Sequence, residues 1–370
     1  MSLLPSDGEG TPTVTALPTQ SASRRGLARV VTFGELLLRL VPPDNRLLEQ
    51  APTFEVGFAG AEANVAVSVA RFGLDACYVS RMPDNPMSRA GRRLLEGCGV
   101  DTSQVLDGGD RLGIYFVEQG VAQRPSRVLY DRGSSGMASI EPKQIPWSSV
   151  LDGCAWFHTS GITPALSQSA AAATAEAVIA ARAAGATVSI DLNYRAQLWR
   201  WGRTPREVMT ELVNETDVVV GNEEDLEKVF GIAVPAFRGP SLDLDPRAYE
   251  PACDALRRMF PQLRAVAVTV RTSVSASDNF WTGVLATDSG FFTTRRYHIT
   301  PVLDRLGAGD AFAAGIIRGM LENPGAPQGT LDFAVAASCL KHSIRGDFNL
   351  LGVDEVLHLA HGDTSGRIVR

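Results

Sequence analysis

Short apolar runs alternating with helical patterns are the feature that most narrows the folds open to this chain. From residue 154 the order is a strand at 154–158, an alanine-rich helix at 165–184, a strand at 187–191, a helix near 205–213 and a strand at 217–220. The first hundred residues carry the same alternation, with strands at 28–33 and 74–80 and helices at 60–72 and 87–98. Strands buried on both faces and joined through helices run parallel. The expectation is therefore an α/β fold, a mainly parallel central sheet with helices on both faces and ligands at the carboxyl ends of its strands. Between residues 111 and 135 the period changes to two, with Ile114, Phe116, Val128 and Tyr130 flanking a polar turn. This hairpin and the segment 36–58 are expected to form a small β-sheet lid on one domain spanning 29–370. Helices at 223–230 and 249–260 flank a Pro-rich insertion at 232–246. Strands at 265–270 and 280–285, then helices at 308–321 and 330–343, complete the reading.

Composition excludes several partners. With 21% charged residues and a net charge of -6, the chain has no basic surface for nucleic acid and no run of membrane-spanning length. A small-molecule substrate is expected. The five cysteines lack metal spacing and are odd in number, which suits reduced thiols and a cytoplasmic location. Residues 1–28, rich in Ser, Thr, Pro and Gly and without the apolar core of a signal peptide, are expected to be a disordered tail.

The chemistry is concentrated in Asp304–Phe312, which reads DRLGAGDAF. Gly307, Ala308 and Gly309 feed a helix start, where backbone N–H groups converge on one point and the helix dipole favours negative charge. An anion nest is expected there. Asp310 follows directly, placed to take a proton from a hydroxyl as charge builds on a neighbouring phosphoryl group. An ordinary tight turn with an acidic first-turn residue has the same spacing. Elsewhere, Gly60, Ala61 and Asn64 in AGAEAN either let a substrate approach the backbone, with Asn64 bonding its hydroxyl, or serve only a close strand-to-helix turn. Asn193 and Arg195 stand at the end of a strand, where Arg195 can hold a carboxylate or phosphate in a bidentate pair or serve a surface ion pair. Asn222, Glu223, Glu224 and Asp225 follow a strand, where they either cap a helix or let Asn222 and one of the carboxylates organise water around Mg²⁺. Arg271, just past a strand end, is placed for nucleotide phosphates. A nicotinamide dehydrogenase is excluded because Gly34 is followed by Glu35 and Leu36 rather than by GxGxxG.

Together, Gly307 to Asp310, AGAEAN and the Asn222 segment resemble the ribokinase-like (PfkB) carbohydrate kinases, over about residue 29 to the C-terminus. Gly113 to Phe116, Ser160 to Leu166, Asp191 to Arg195 and the segments around His342 and Asp347 are similar to 2-keto-3-deoxygluconate kinases within that family. The resemblance implies an ATP-dependent kinase acting on a sugar or sugar acid. Asp310 would be the base and Gly307–Gly309 the anion hole. Asn222, Arg271 and Ser273 would face the nucleotide, and Asn222 and Asp225 would meet Mg²⁺ through water. Tyr115, Arg132 and Arg195 would grip the sugar acid. It also raises a monovalent cation such as K⁺ and a homodimer clasped through the lid. Fructokinase or ribokinase activity, or a catalytically silent sugar-binding relative, are the alternatives. The chain departs from the family pattern at four places: Arg305 stands where Thr is common, Asp225 where Glu is common, Val117 where an Arg is expected, and residues 271–277 replace a Lys- and Gly-rich stretch.

Overall fold

The computed structural model describes residues 26–234, 245–363 and 366. The expected tail lies outside the described residues up to residue 25, as does the insertion between 235 and 244.

Fourteen strands form two sheets among these residues. The strands are β1 Arg29–Phe33, β2 Leu37–Val41, β3 Glu55–Ala59, β4 Asp75–Met82, β5 Val105–Asp107, β6 Gly113–Glu118 and β7 Arg127–Asp131. They continue with β8 Cys154–Ser160, β9 Thr187–Asp191, β10 Val218–Gly221, β11 Ala265–Ser275, β12 Asp278–Thr287, β13 Gly290–Thr293 and β14 Tyr297–Ile299. The large sheet runs β13-β12-β11-β10-β9-β8-β1-β4-β5, with β14 also on β12. Neighbours from β11 to β5 are parallel, and β12 to β14 add an antiparallel edge. The mainly parallel α/β architecture expected from the alternation is the observed one.

Helices cover both faces and divide the core in two. One cluster includes Phe157, Val188, Ile190 and Val266 with the Gln168–Ala183 and Pro205–Val213 helices. The other joins Tyr78, Trp156 and Ala267 to the Ala61–Arg71, Ala308–Glu322 and Pro327–Lys341 helices. The last two helices meet closely, since a Cβ on Gly315 would lie 2.5 Å from Ala334 Cα.

Several details differ from the expectation. β11 does not stop at Val270 but continues to Ser275, paired antiparallel with β12. Its polar second half shows no apolar alternation, and the ladder to β12 supplies the backbone partners that keep it extended. β13 and β14, three or four residues each, extend the antiparallel edge unannounced. A third helix, Val353–Ala360, follows the two expected at the C-terminus, burying Val356 and Leu359 and held at its start by the Gly352 N–H bond to Glu355 (2.7 Å).

The second sheet has the order β3-β2-β6-β7 and is built from the two segments expected to form the lid. Its inner face, Leu37, Val41, Ala59, Tyr115 and Val117, packs on Leu306 beside the glycine loop. Arg39 and Tyr115 lie on that same face.

Candidate active site

A cavity of about 290 Å³ opens where the carboxyl ends of β9, β10 and β11 meet the glycine loop and the small sheet. Gly60, Ala61, Asn64, Tyr115, Arg132, Asn193, Arg195, Asn222, Asp225, Arg271, Gly307, Ala308, Gly309 and Asp310 all line it. Segments up to 250 residues apart in sequence are brought together here. Ser273 is not among its walls; it is exposed, two residues beyond Arg271 on the extended β11.

The glycine loop has a defined shape. Gly307 adopts a left-handed φ of 80°, and no side chain caps the helix that begins at Ala308, so its first amides remain open to an anion. A Cβ at Gly307 would lie 1.8 Å from the Asp347 carbonyl oxygen, so the C-terminal loop forms the floor of the nest. Beneath it lies a buried charge cluster. Arg39 from β2 reaches Asp304 (2.5 Å) and Asp347 (2.9 Å), and the Tyr115 hydroxyl donates to Asp347 (2.8 Å). Asp304 also accepts from the backbone of Leu306 (3.2 Å) and Gly346 (3.1 Å). Lys341, fully buried, donates to the Ile344 carbonyl (3.1 Å).

Asp310 faces the cavity from the first turn of the helix. Asn64 Nδ2 donates to its Oδ2 at 2.6 Å, while Asn64 Oδ1 accepts from the Gly60 N–H (3.3 Å). The AGAEAN turn thus aims its amide at the carboxylate. Burial pushes the Asp310 carboxyl up to about 7, the Asn64 hydrogen bond and Arg195 pull it down, and Asp347 and Glu62 reinforce the rise. A carboxylate that titrates near neutrality is suited to accept a proton from an alcohol. Asp347 is itself raised to about 6 by burial against the pull of Arg39.

The remaining side chains differ in what they leave available. Arg195 is exposed at the cavity rim; among the described residues it bonds only to the Tyr194 carbonyl (2.7 Å) and has no carboxylate within 4 Å. Arg132 is buried in an ion pair with Glu35, donating through Nε at 2.8 Å, and Ser135 bonds the same carboxylate. Its charge is therefore already balanced inside the protein. Asn222 and Asp225 close a capping box, with Asn222 Oδ1 accepting from Asp225 N and Asp225 Oδ2 from Asn222 N, each at 3.0 Å. Asp225 Oδ1 also accepts the Tyr194 N–H (2.8 Å). Asp191, Glu223 and Glu224 line the same wall, and burial together with the neighbouring Asp225 and Asp310 holds Asp191 well above the usual carboxylate range. Sequence reasoning had not singled out Glu35, Arg305 or Asp347 as site residues, and Asp191 only as a carboxylate at a strand end. Asp191 and Asp347 stood in quoted motifs, but only the fold turns them inward.

A cavity at the carboxyl ends of parallel strands, holding an uncapped glycine nest, a hydrogen-bonded carboxylate of raised pKa and unpaired arginines, has the form of a small-molecule phosphotransferase site. Comparison with known proteins gives the family. The chain belongs to the pfkB family of carbohydrate kinases, whose family model matches residues 27–348. It is 34% identical over 340 residues to the 2-dehydro-3-deoxygalactonokinase of Haloferax volcanii, covering 92% of this chain and 98% of that one. It is 30% identical to the 2-dehydro-3-deoxygluconokinase of Thermoproteus tenax, over 86% of this chain and 89% of the relative. The crystal structure of 2-dehydro-3-deoxygluconokinase from Thermotoga maritima superimposes with a TM-score of 0.85 at 42% identity, covering 90% of this chain and all of that one. Among the described residues no helix is long and apolar enough to cross a membrane.

Proposed function

We propose that this protein is an ATP-dependent kinase that converts 2-keto-3-deoxygluconate (2-dehydro-3-deoxygluconate) to its 6-phosphate, with Asp310 as catalytic base. The observation that carries the reading is Asp310, held by Asn64 at the mouth of the uncapped Gly307–Gly309 nest. Asp310 takes the proton of the 6-hydroxyl as that oxygen bonds to the γ-phosphorus. The bond from phosphorus to the β,γ-bridging oxygen breaks, and ADP leaves with its electron pair. The nest amides meet the charge that develops on the transferred group.

The names of the relatives support a keto-deoxy acid, and Arg195 supports it chemically as an unpaired guanidinium near Asp310. The Haloferax relative favours a second reading within the class, the galactonate epimer. Solved relatives with bound ATP share the fold, in agreement with ATP as donor. The wall of Asn222, Glu223, Glu224 and Asp225 offers the hard oxygen donors that suit a water-shelled Mg²⁺, which would neutralise phosphate charge when bound. All five cysteines are free thiols, in keeping with a cytoplasmic placement. A second copy covering the small sheet is part of the same proposal.

A coupled ADP-release assay with ATP and Mg²⁺ tests it against 2-keto-3-deoxygluconate, 2-keto-3-deoxygalactonate, gluconate, fructose and ribose, with KCl compared against choline chloride. Turnover confined to the keto-deoxy acids is expected. Preference for fructose or ribose would remove the acid from the reading and keep the kinase.

A further inference from the structure

Arg271 and Arg305 line the same cavity, one on β11 and the other in the glycine loop two residues before Gly307. Among the described residues neither has a carboxylate within 4 Å. Their charges influence one another, for burial and Arg271 both depress the Arg305 guanidinium against the opposing pull of Asp304. Two like charges on one cavity wall favour an anion between them.

Arg305 is not free to turn away. Its Nη2 donates to the Ala276 carbonyl at 2.8 Å, at the tip of the β11–β12 hairpin. That bond fixes the guanidinium between loop and hairpin and leaves further N–H donors open. The extension of β11 past Val270 matters here, because it carries the β11–β12 hairpin and its Ala276 carbonyl up to Arg305. Residues 271–277 contain no lysine or glycine, and Ser273 points outside the cavity walls. In the kinase reading the nest amides meet the group being transferred. The rest of a nucleotide's phosphate chain needs positive partners, and a planar, weakly hydrated guanidinium fits phosphate oxygens well.

We propose that Arg305 is a donor-binding residue that, with Arg271, clamps the phosphate chain of the nucleotide between the glycine loop and the β11–β12 hairpin. This inference rests on the kinase reading of the cavity.

Calorimetric titration of the purified protein with ADP and with adenosine tests it, using wild type, Arg305→Thr, Arg305→Lys and Arg271→Ala. The expected result is a loss of ADP affinity of about 10- to 100-fold in Arg305→Thr, the range for a hydrogen bond to a charged group. Adenosine affinity should not change, and the lysine variant should recover part of the ADP binding. In turnover, KM for ATP should rise while KM for the sugar acid stays within about two-fold. ADP affinity within about two-fold of wild type in Arg305→Thr would overturn the proposal. So would equal losses for ADP and adenosine with a lowered melting temperature, which would make Arg305 only a strut for the hairpin. Wild-type protein that binds no ADP would instead sink the kinase reading itself.

Discussion

Asp310 and Asn64 lie 246 positions apart, yet one hydrogen bond of 2.6 Å joins them. Its consequence is measurable as a pH profile. A base must be deprotonated to act, so kcat is expected to rise with pH through about 7, where burial places the Asp310 carboxyl. Asn64→Ala removes a bond that favours the carboxylate, so the acidic limb should move to higher pH; a limb that stays in place would show that the bond does not tune the base. Asp310→Asn should lower kcat by about 10²- to 10⁴-fold, the usual contribution of a general base, with sugar-acid binding by calorimetry retained. Asp310 and the glycines around it were legible because the chemistry is written in consecutive residues. Asp347 was not, since its meaning depends on Arg39 and Tyr115, more than 200 residues away in sequence.

The glycine loop works as an element because three others hold it. The Asp347 carbonyl underlies Gly307, Asp304 ties Leu306 to Gly346, and Arg39 from the small sheet neutralises Asp304 and Asp347. Gly307→Ala should therefore distort the nest, since its Cβ would enter the Asp347 carbonyl and its φ of 80° is costly for alanine. The expected readout is a fall in melting temperature together with loss of turnover; wild-type values for both would mean that the C-terminal loop yields. Arg39→Gln removes the cation that pairs directly with Asp304 and Asp347, leaving only Lys341 nearby, and should destabilise the fold by about 3–5 kcal/mol, measured by urea denaturation. β11 teaches the opposite lesson about legibility. Its second half, Arg271 to Ser275, is polar and mostly exposed, and it is a strand only because β12 folds back on it.

At the scale of the molecule, the outer face of the small sheet stands out. Register sets Val56, Leu40, Phe116 and Leu129 side by side across all four strands, and Val56 and Leu129 are 59% and 58% exposed. An exposed apolar row of this kind is the surface that the second copy of the proposed dimer would cover. Light scattering on wild type should give a dimer, and Leu129→Glu a monomer; a monomeric wild type would remove the clasp.

The alternation of apolar runs and helical patterns determined the parallel sheet, because burial on both faces demands continuous apolar strands. Consecutive small residues determined the nest and Asp310, because a turn into a helix start is a local structure. Tertiary structure alone decided the rest. It chose which carboxylates are buried enough to titrate near neutrality, paired Arg132 with Glu35 while leaving Arg195 and Arg305 without a carboxylate partner among the described residues, and made a polar stretch into a hairpin. Charge balance and strand pairing depend on what arrives from distant segments, and no local pattern in the sequence records that arrival.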